Sequence, residues 1–216
     1  MAASSSTVTV TYARPSTPGG LTACRPQPVR AARRGHGFTL IELLVAVAVA
    51  AILVTIGIPG FQSLVAKSRL KGAAEEAHAH FQLAKSEAIK RREDVYVSFV
   101  RNAPQDWCYG LSQGSQCDCS AAGTDCQLDG VDQVVDSSQH PHVNLTSASF
   151  AGNTYVAFDH VYATAQDAND VEIDQDGTVS FTSDHGHAAN VIVSTLGSVK
   201  LCSPSGGTNI WDYPAC

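Results

Sequence analysis

A chain of 216 residues, 44% hydrophobic and 16% charged, has room for one domain plus a membrane segment. Its formal charge of −6 is unevenly spread: residues 1–37 carry five arginines and no acid, and from Asn102 onward Lys200 is the single basic residue against 14 acids. That acidic portion repels polyanions and argues against a nucleic-acid-binding head.

Residues 1–32 are rich in Ser, Thr, Pro, Ala and Arg and show no apolar periodicity, so they read as a disordered leader. Arg33-Arg34-Gly35-His36-Gly37 follows, and then Phe38-Thr39-Leu40-Ile41-Glu42-Leu43-Leu44 opens an apolar run. From Phe38 to Ile58 there are 21 residues, of which Glu42 alone is ionisable. At about 1.5 Å per residue, a helix of that length crosses a hydrocarbon core of roughly 30 Å. A carboxylate within such a span is costly, about 2.5–3.5 kcal/mol near the bilayer centre, and calls for a compensating positive charge. A new amino terminus, made by cutting between Gly37 and Phe38, would supply one. Ala46-Val47-Ala48 could pose as a secretory cleavage site, but a glutamate inside the apolar core is awkward for a secretory signal.

Gly37-Phe38-Thr39-Leu40-Ile41-Glu42 resembles the class III signal of type IV pilins and type II secretion pseudopilins. The resemblance implies a prepilin peptidase that cuts after Gly37 and N-methylates Phe38. It implies that Glu42 sets assembly register by pairing with a neighbouring subunit's amine, and that Pro59 kinks the helix. It also makes residues 1–37 a basic leader, longer than is usual in the family, so the true start could lie downstream of Met1. The arginines ahead of the span place the leader in the cytoplasm and the head in the periplasm, a single pass through the inner membrane. Lys67, Arg69 and Lys71 lie on the far side.

Residues 38–59 are therefore expected to form the transmembrane helix and 60–93 its amphipathic continuation. Leu64, Leu70, Ala73, Ala77, Phe81, Ala84 and Ala88 recur at mostly three- and four-residue steps, with Lys67, Lys71, Glu75, Lys85 and Glu87 opposite. From 94 to 216 the pattern is that of a β-rich head. Val95–Val100 reads as its first strand, residues 101–141 as a polar, Cys-rich surface loop held by disulfides. Further strands are expected at 143–150, 154–158, 171–174, 178–182, 190–195 and 198–202. Asp176-Gly177 reads as a hairpin turn, as does Leu196-Gly197. The fold class is α+β: a type IV pilin-like fold in which one long N-terminal helix packs on an antiparallel sheet. The run from Val191 to Cys202, an apolar strand, a Gly turn, a basic residue beside Val199 and then a Cys, resembles the end of the GspH/FimT group. Ser198 stands where that group often has a basic residue.

Cys24 falls in the leader and six cysteines remain: Cys108, Cys117, Cys119, Cys126, Cys202 and Cys216. An even number in an exported domain reads as disulfides, whose pairing the spacing leaves open. Cys202 with Cys216 is the preferred bridge, closing the C-terminal tail. Cys117-Asp118-Cys119 lacks zinc-knuckle spacing, so no metal is expected there.

Other constellations point to bland roles. Gly110-Leu111-Ser112-Gln113-Gly114 fits a nucleophile elbow but runs into loop-like sequence, not a helix. The acidic run Asp167, Asn169, Asp170, Glu172, Asp174 and Asp176 imitates a calcium loop, yet its twelfth position is Ser183. His78, His80, His185 and His187 read as solvated, and Asn144-Leu145-Thr146 is too common a triplet to carry weight. DNA is disfavoured as a partner: any such role falls to Lys85, Lys90, Arg91, Arg92 and Arg101, because Asp212 sits between the stacking candidates Trp211 and Tyr213. No catalytic residue, cofactor or metal is expected, so the chain is read as a non-enzymatic structural subunit. The resemblance implies a minor pseudopilin of a type II secretion system that helps export folded proteins. Its partners would be other major and minor pseudopilins, the prepilin peptidase, the inner-membrane assembly platform, membrane lipid and secreted cargo. The alternative is a FimT-like minor pilin of a type IV pilus, serving pilus biogenesis, adhesion or DNA uptake.

Overall fold

The computed structural model describes residues 38–121, 125–167, 169–204 and 213–216, with the backbone alone at 56 and 59. It divides into two units, one ending at Val45 and one running from Ala46 to Cys216. Helix α1, Leu40–Arg91, is assigned without a break through Pro59. Arg92 ends it in the left-handed region, φ 58°, the usual conformation of a residue just past a helix C-terminus.

Among the described residues eleven strands follow: β1 Val95–Ala103, β2 Asp106–Gln113, β3 Gln127–Leu128, β4 Val131–Asp132, β5 Val134–Asp136, β6 Val143–Ser149, β7 Tyr155–Phe158, β8 Ala165–Gln166, β9 Gly177–Ser183, β10 Ala188–Val193 and β11 Val199–Cys202. They form a five-stranded sheet ordered β5-β2-β1-β7-β8, a four-stranded sheet ordered β11-β10-β9-β6, and the small β3-β4 pair. Every pairing between these strands is antiparallel. Leu70, Ala73, Ala77, Phe81, Ala84 and Ala88 of α1 are buried, as their spacing predicts, whereas Leu64 is exposed. The alanines let the sheets approach the helix closely. Phe81 fills the centre, with its ring 6.0 Å from Phe99, 6.0 Å from Phe150 and 6.3 Å from Phe158.

Three expectations need correction. Residues 101–141 are not one irregular loop. They contain β2, which pairs with both β1 and β5 inside the sheet. Six consecutive β2 residues, Trp107–Ser112, are buried, so the alternation that marks a half-exposed strand is absent. The disulfides do fall here, Cys108–Cys119 and Cys117–Cys126, covering one face of β2 with a small sulfur-rich cluster. Residues 171–174 form no strand: Glu172 makes a single bridge to Gln166, Ile173 is buried and Val171 is exposed. Asp176-Gly177 is not a hairpin turn either, because β9 starts at Gly177 and pairs with β6 and β10. Gly177 serves close packing, since a Cβ there would lie 2.1 Å from Cδ1 of Phe150. By contrast Gly197, φ 71°, does turn the chain between β10 and β11.

Candidate functional site

The first helical turn is built by Thr39. Its hydroxyl accepts a hydrogen bond from the Glu42 amide at 3.2 Å, and its carbonyl accepts the Leu43 amide at 3.1 Å. Thr39 is thus the N-cap and Glu42 the third helical residue, the S/T-x-x-E spacing that favours helix initiation. A negative side chain in that turn also suits the positive end of the helix dipole. Glu42 is exposed, as are Phe38, Leu40, Ile41, Leu43, Leu44 and Val45 around it. Farther along, Val47, Val49, Ile52, Leu53, Val54 and Ile58 are exposed too. The outer half of α1 is therefore apolar on every side and covered by nothing among the described residues, which is the character of a segment whose solvent is lipid or other helices. Thr55 returns its hydroxyl to the Ile52 carbonyl at 2.8 Å, so it adds no unmet polar group to that surface. Gly37 and the leader lie outside the described residues, as does the Pro59 side chain.

The head offers little free basic charge. Lys85 donates to the Gly197 carbonyl at 3.1 Å and Lys90 to Glu87 at 3.1 Å. Arg91 bridges Glu87, Gln113 and Asp129. That arrangement holds the Asp129 and Glu87 carboxyls below their ordinary range, chiefly through the hydrogen bonds from Arg91. Of the five candidate phosphate-binding side chains, Lys90 and Arg91 are thus ion-paired with their own neighbours, whereas Arg92 and Arg101 are exposed. Trp211 lies outside the described residues.

Ser112 is buried and donates to the Ser115 carbonyl at 2.5 Å. β2 runs on into bends and turns after Gly114 instead of a helix. All six head cysteines are bonded, with Cys202 joined to Cys216. Two histidines are not solvated as expected. His80 Nδ1 meets the Tyr109 hydroxyl at 2.8 Å, and burial pushes its pKa down. His187 is buried, its Nε2 3.1 Å from Ser63 Oγ of α1.

One polar knot was illegible in the sequence. Asp94, just after α1, accepts from the His160 amide at 3.0 Å and from its Nδ1 at 2.7 Å through one oxygen. The other oxygen accepts Gln166 Nε2 at 2.8 Å. Asp159 lies within reach, so Asp94, Asp159 and His160 bring three donor atoms within 4.8 Å of one another. Asp159 is itself spent on the amides of Val161 and Tyr162. The hydrogen bond from Asp94 raises the His160 pKa. These partners stand 66 and 72 positions apart in sequence, where no spacing rule connects them.

A family model described as Type II transport protein GspH matches residues 73–210, and one for the prokaryotic N-terminal methylation motif matches residues 32–58. Type IV major pilin protein PilA of Myxococcus xanthus (strain DK1622) is 32% identical over 127 residues, 57% of this chain and 54% of PilA, so the chain spans about half the length of that curated relative. Among solved structures, the type IV minor pilin FimU of Pseudomonas aeruginosa (strain PAO1) superposes with a TM-score of 0.45 at 19% identity, over 66% of this chain and 94% of FimU. The minor pseudopilin EpsH from the type 2 secretion system of Vibrio cholerae gives a TM-score of 0.44 at 13% identity, over 62% and 97%. The apolar helix and the methylation motif suit a single-pass inner-membrane protein. Since the GspH model runs from the inner half of α1 through the last strand of the head, the chain belongs to the Type II transport protein GspH family.

Proposed function

We propose that this chain is a minor pseudopilin of a type II secretion system. A prepilin peptidase cuts it between Gly37 and Phe38, the Phe38 amine is methylated, and the head stands in the periplasm. The inner-membrane assembly platform then moves it into a short filament with other major and minor pseudopilins, and the filament helps export folded proteins. One observation carries this reading: Glu42 stands exposed in the first turn of a helix whose outer half is otherwise apolar and uncovered among the described residues. A lone carboxylate there is unfavourable in lipid until a second subunit's amine meets it, and such pairs set register more reliably than they add stability. The pseudopilus in preference to the pilus is supported by the description of the matching family and by the acidic chain from Asn102 onward.

Glu42→Ala, expressed in cells with the assembly machinery, should be processed and should keep its three disulfides yet fail to enter filaments. Normal incorporation of that variant defeats the reading. The pilin relative favours a second reading, a FimT-like minor pilin. Salt-sensitive retardation of short DNA by the full chain in detergent, over a 50–200 mM salt series, would favour that one. The role is structural and non-enzymatic in either case. Hydrolytic turnover abolished by Ser112→Ala would overturn that.

A further inference from the structure

Beside α1, just past the apolar run, lies a cleft of about 340 Å³ lined by Phe61, Val65 and Arg69 from the helix and by His142, Asp184 and His185 from the head. We propose that this cleft receives the phosphate headgroup of an anionic phospholipid in the membrane that α1 crosses, with Phe61 set into the interface beneath it. The proposal rests on the membrane-spanning reading of α1.

Helix geometry places the cleft at the right height. Phe61 is three residues beyond Ile58, about 4.5 Å further along the axis, and the headgroup layer is about 5–8 Å thick. Arg69 is farther out, about 16 Å, but side chains of an α-helix lean toward its N-terminus, which here is the membrane. A long arginine stem leaning that way brings its guanidinium back toward the phosphates. Phe61 is 68% exposed, an apolar ring with little cover among the described residues. The fixed wall opposite is anchored at the same level by buried His187, whose ring meets Ser63 of α1 at 3.1 Å.

Charge complementarity selects the occupant. Lys67, Arg69 and Lys71 fall within five residues, whereas the chain from Asn102 onward has one lysine against 14 acids. Lys71 is paired with Glu75 at 3.7 Å, but Arg69 is exposed and has no ion pair among the described residues. Asp184, the one acid lining the cleft, already takes hydrogen bonds from Asn144 at 3.1 Å and His142 at 3.0 Å. An anionic surface therefore attracts this side of the head and repels the rest, so binding here would also set which side faces the bilayer.

The test uses the full chain in vesicles of phosphatidylcholine alone or with phosphatidylglycerol, doped with a photoactivatable analogue of either lipid and analysed by peptide mass mapping. Phosphatidylglycerol should crosslink to peptides containing residues 61–69 and 184–187 several-fold more than phosphatidylcholine does. Arg69→Gln should cut that yield by about fivefold, the contribution of one basic side chain near an anionic surface. Arg69→Lys should restore it and Lys200→Gln should leave it unchanged. Equal yields from the two lipids, or crosslinks that ignore Arg69→Gln, overturn the proposal. So does cover of the cleft by a second copy, seen as protein–protein crosslinks that rise with protein density. Alkaline extraction separates the two levels: a chain that resists it but shows no lipid selectivity sinks the cleft alone, and a chain that is extracted sinks the membrane reading with it.

Discussion

Two glycines explain a motif that would otherwise suggest catalysis. In Gly110-Leu111-Ser112-Gln113-Gly114, a Cβ on Gly110 would lie 2.5 Å from Cys126 Sγ and 2.7 Å from its Cβ. Gly114 turns the chain with φ 74°. The spacing thus comes from a disulfide packed on bare backbone followed by a turn. Gly110→Ala should cost about 1–3 kcal/mol by overpacking, read as a lower denaturation midpoint, with free thiol appearing from the Cys117–Cys126 pair. Two histidines should titrate in opposite senses. His80, buried against Tyr109, has its pKa lowered from 6.5, so the stability it contributes is full above 6.5 and is lost as pH falls through the lowered value. His160 has its pKa raised from 6.5 by Asp94, so its contribution is full below 6.5 and is lost as pH climbs through the raised value. Imidazole signals followed by NMR should show the two displaced to either side of 6.5, with Asp94→Asn returning His160 toward that value.

The inner half of α1 is held by shape more than by hydrophobic bulk. Alanines line its buried face and one large ring, Phe81, meets Phe99, Phe150 and Phe158. Phe81→Ala should therefore lower stability by about 3–5 kcal/mol, measured by chemical denaturation of the full chain in detergent. The same helix–sheet contact brings Ser63 to His187 and His80 to Tyr109. The two histidines look solvated in the sequence because their partners stand 124 and 29 positions away. The Cys202–Cys216 bond closes a 14-residue separation, and Ser203 bridges Ala215 in parallel alongside it. Cys216→Ser should lose about 3 kcal/mol and expose the tail to proteolysis, leaving the other two disulfides intact.

For the protein as a whole, charge and hydropathy separate along the chain: arginines before the span, three basic residues just past it, and an acidic head beyond. In the proposed function the membrane orients such a molecule before any partner meets it. The exposed apolar side chains all around the outer half of α1 would then provide the surface for filament assembly. Mature protein recovered from cells should begin at a methylated Phe38, 37 residues shorter than the precursor, when its terminus is read by mass spectrometry. An intact precursor, or a terminus elsewhere, would contradict the assembly reading.

Local chemistry was enough for the long helix, its buried alanine stripe, the turn at Gly197 and the family signal at Gly37–Glu42, because each depends on neighbours within a few positions. β2 was hidden because a strand buried on both faces shows no alternation, and its sequence is crowded with cysteines and glycines. Residues 171–174 misled for the converse reason, alternating like a strand yet making a single bridge, Glu172 to Gln166. The disulfide partners of Cys108 and Cys117, the packing role of Gly177 and the knot of Asp94, His160 and Gln166 were decided only when the sheets brought distant residues together. Periodicity reports which side of an element is buried. It carries no record of what arrives from another part of the chain to bury it.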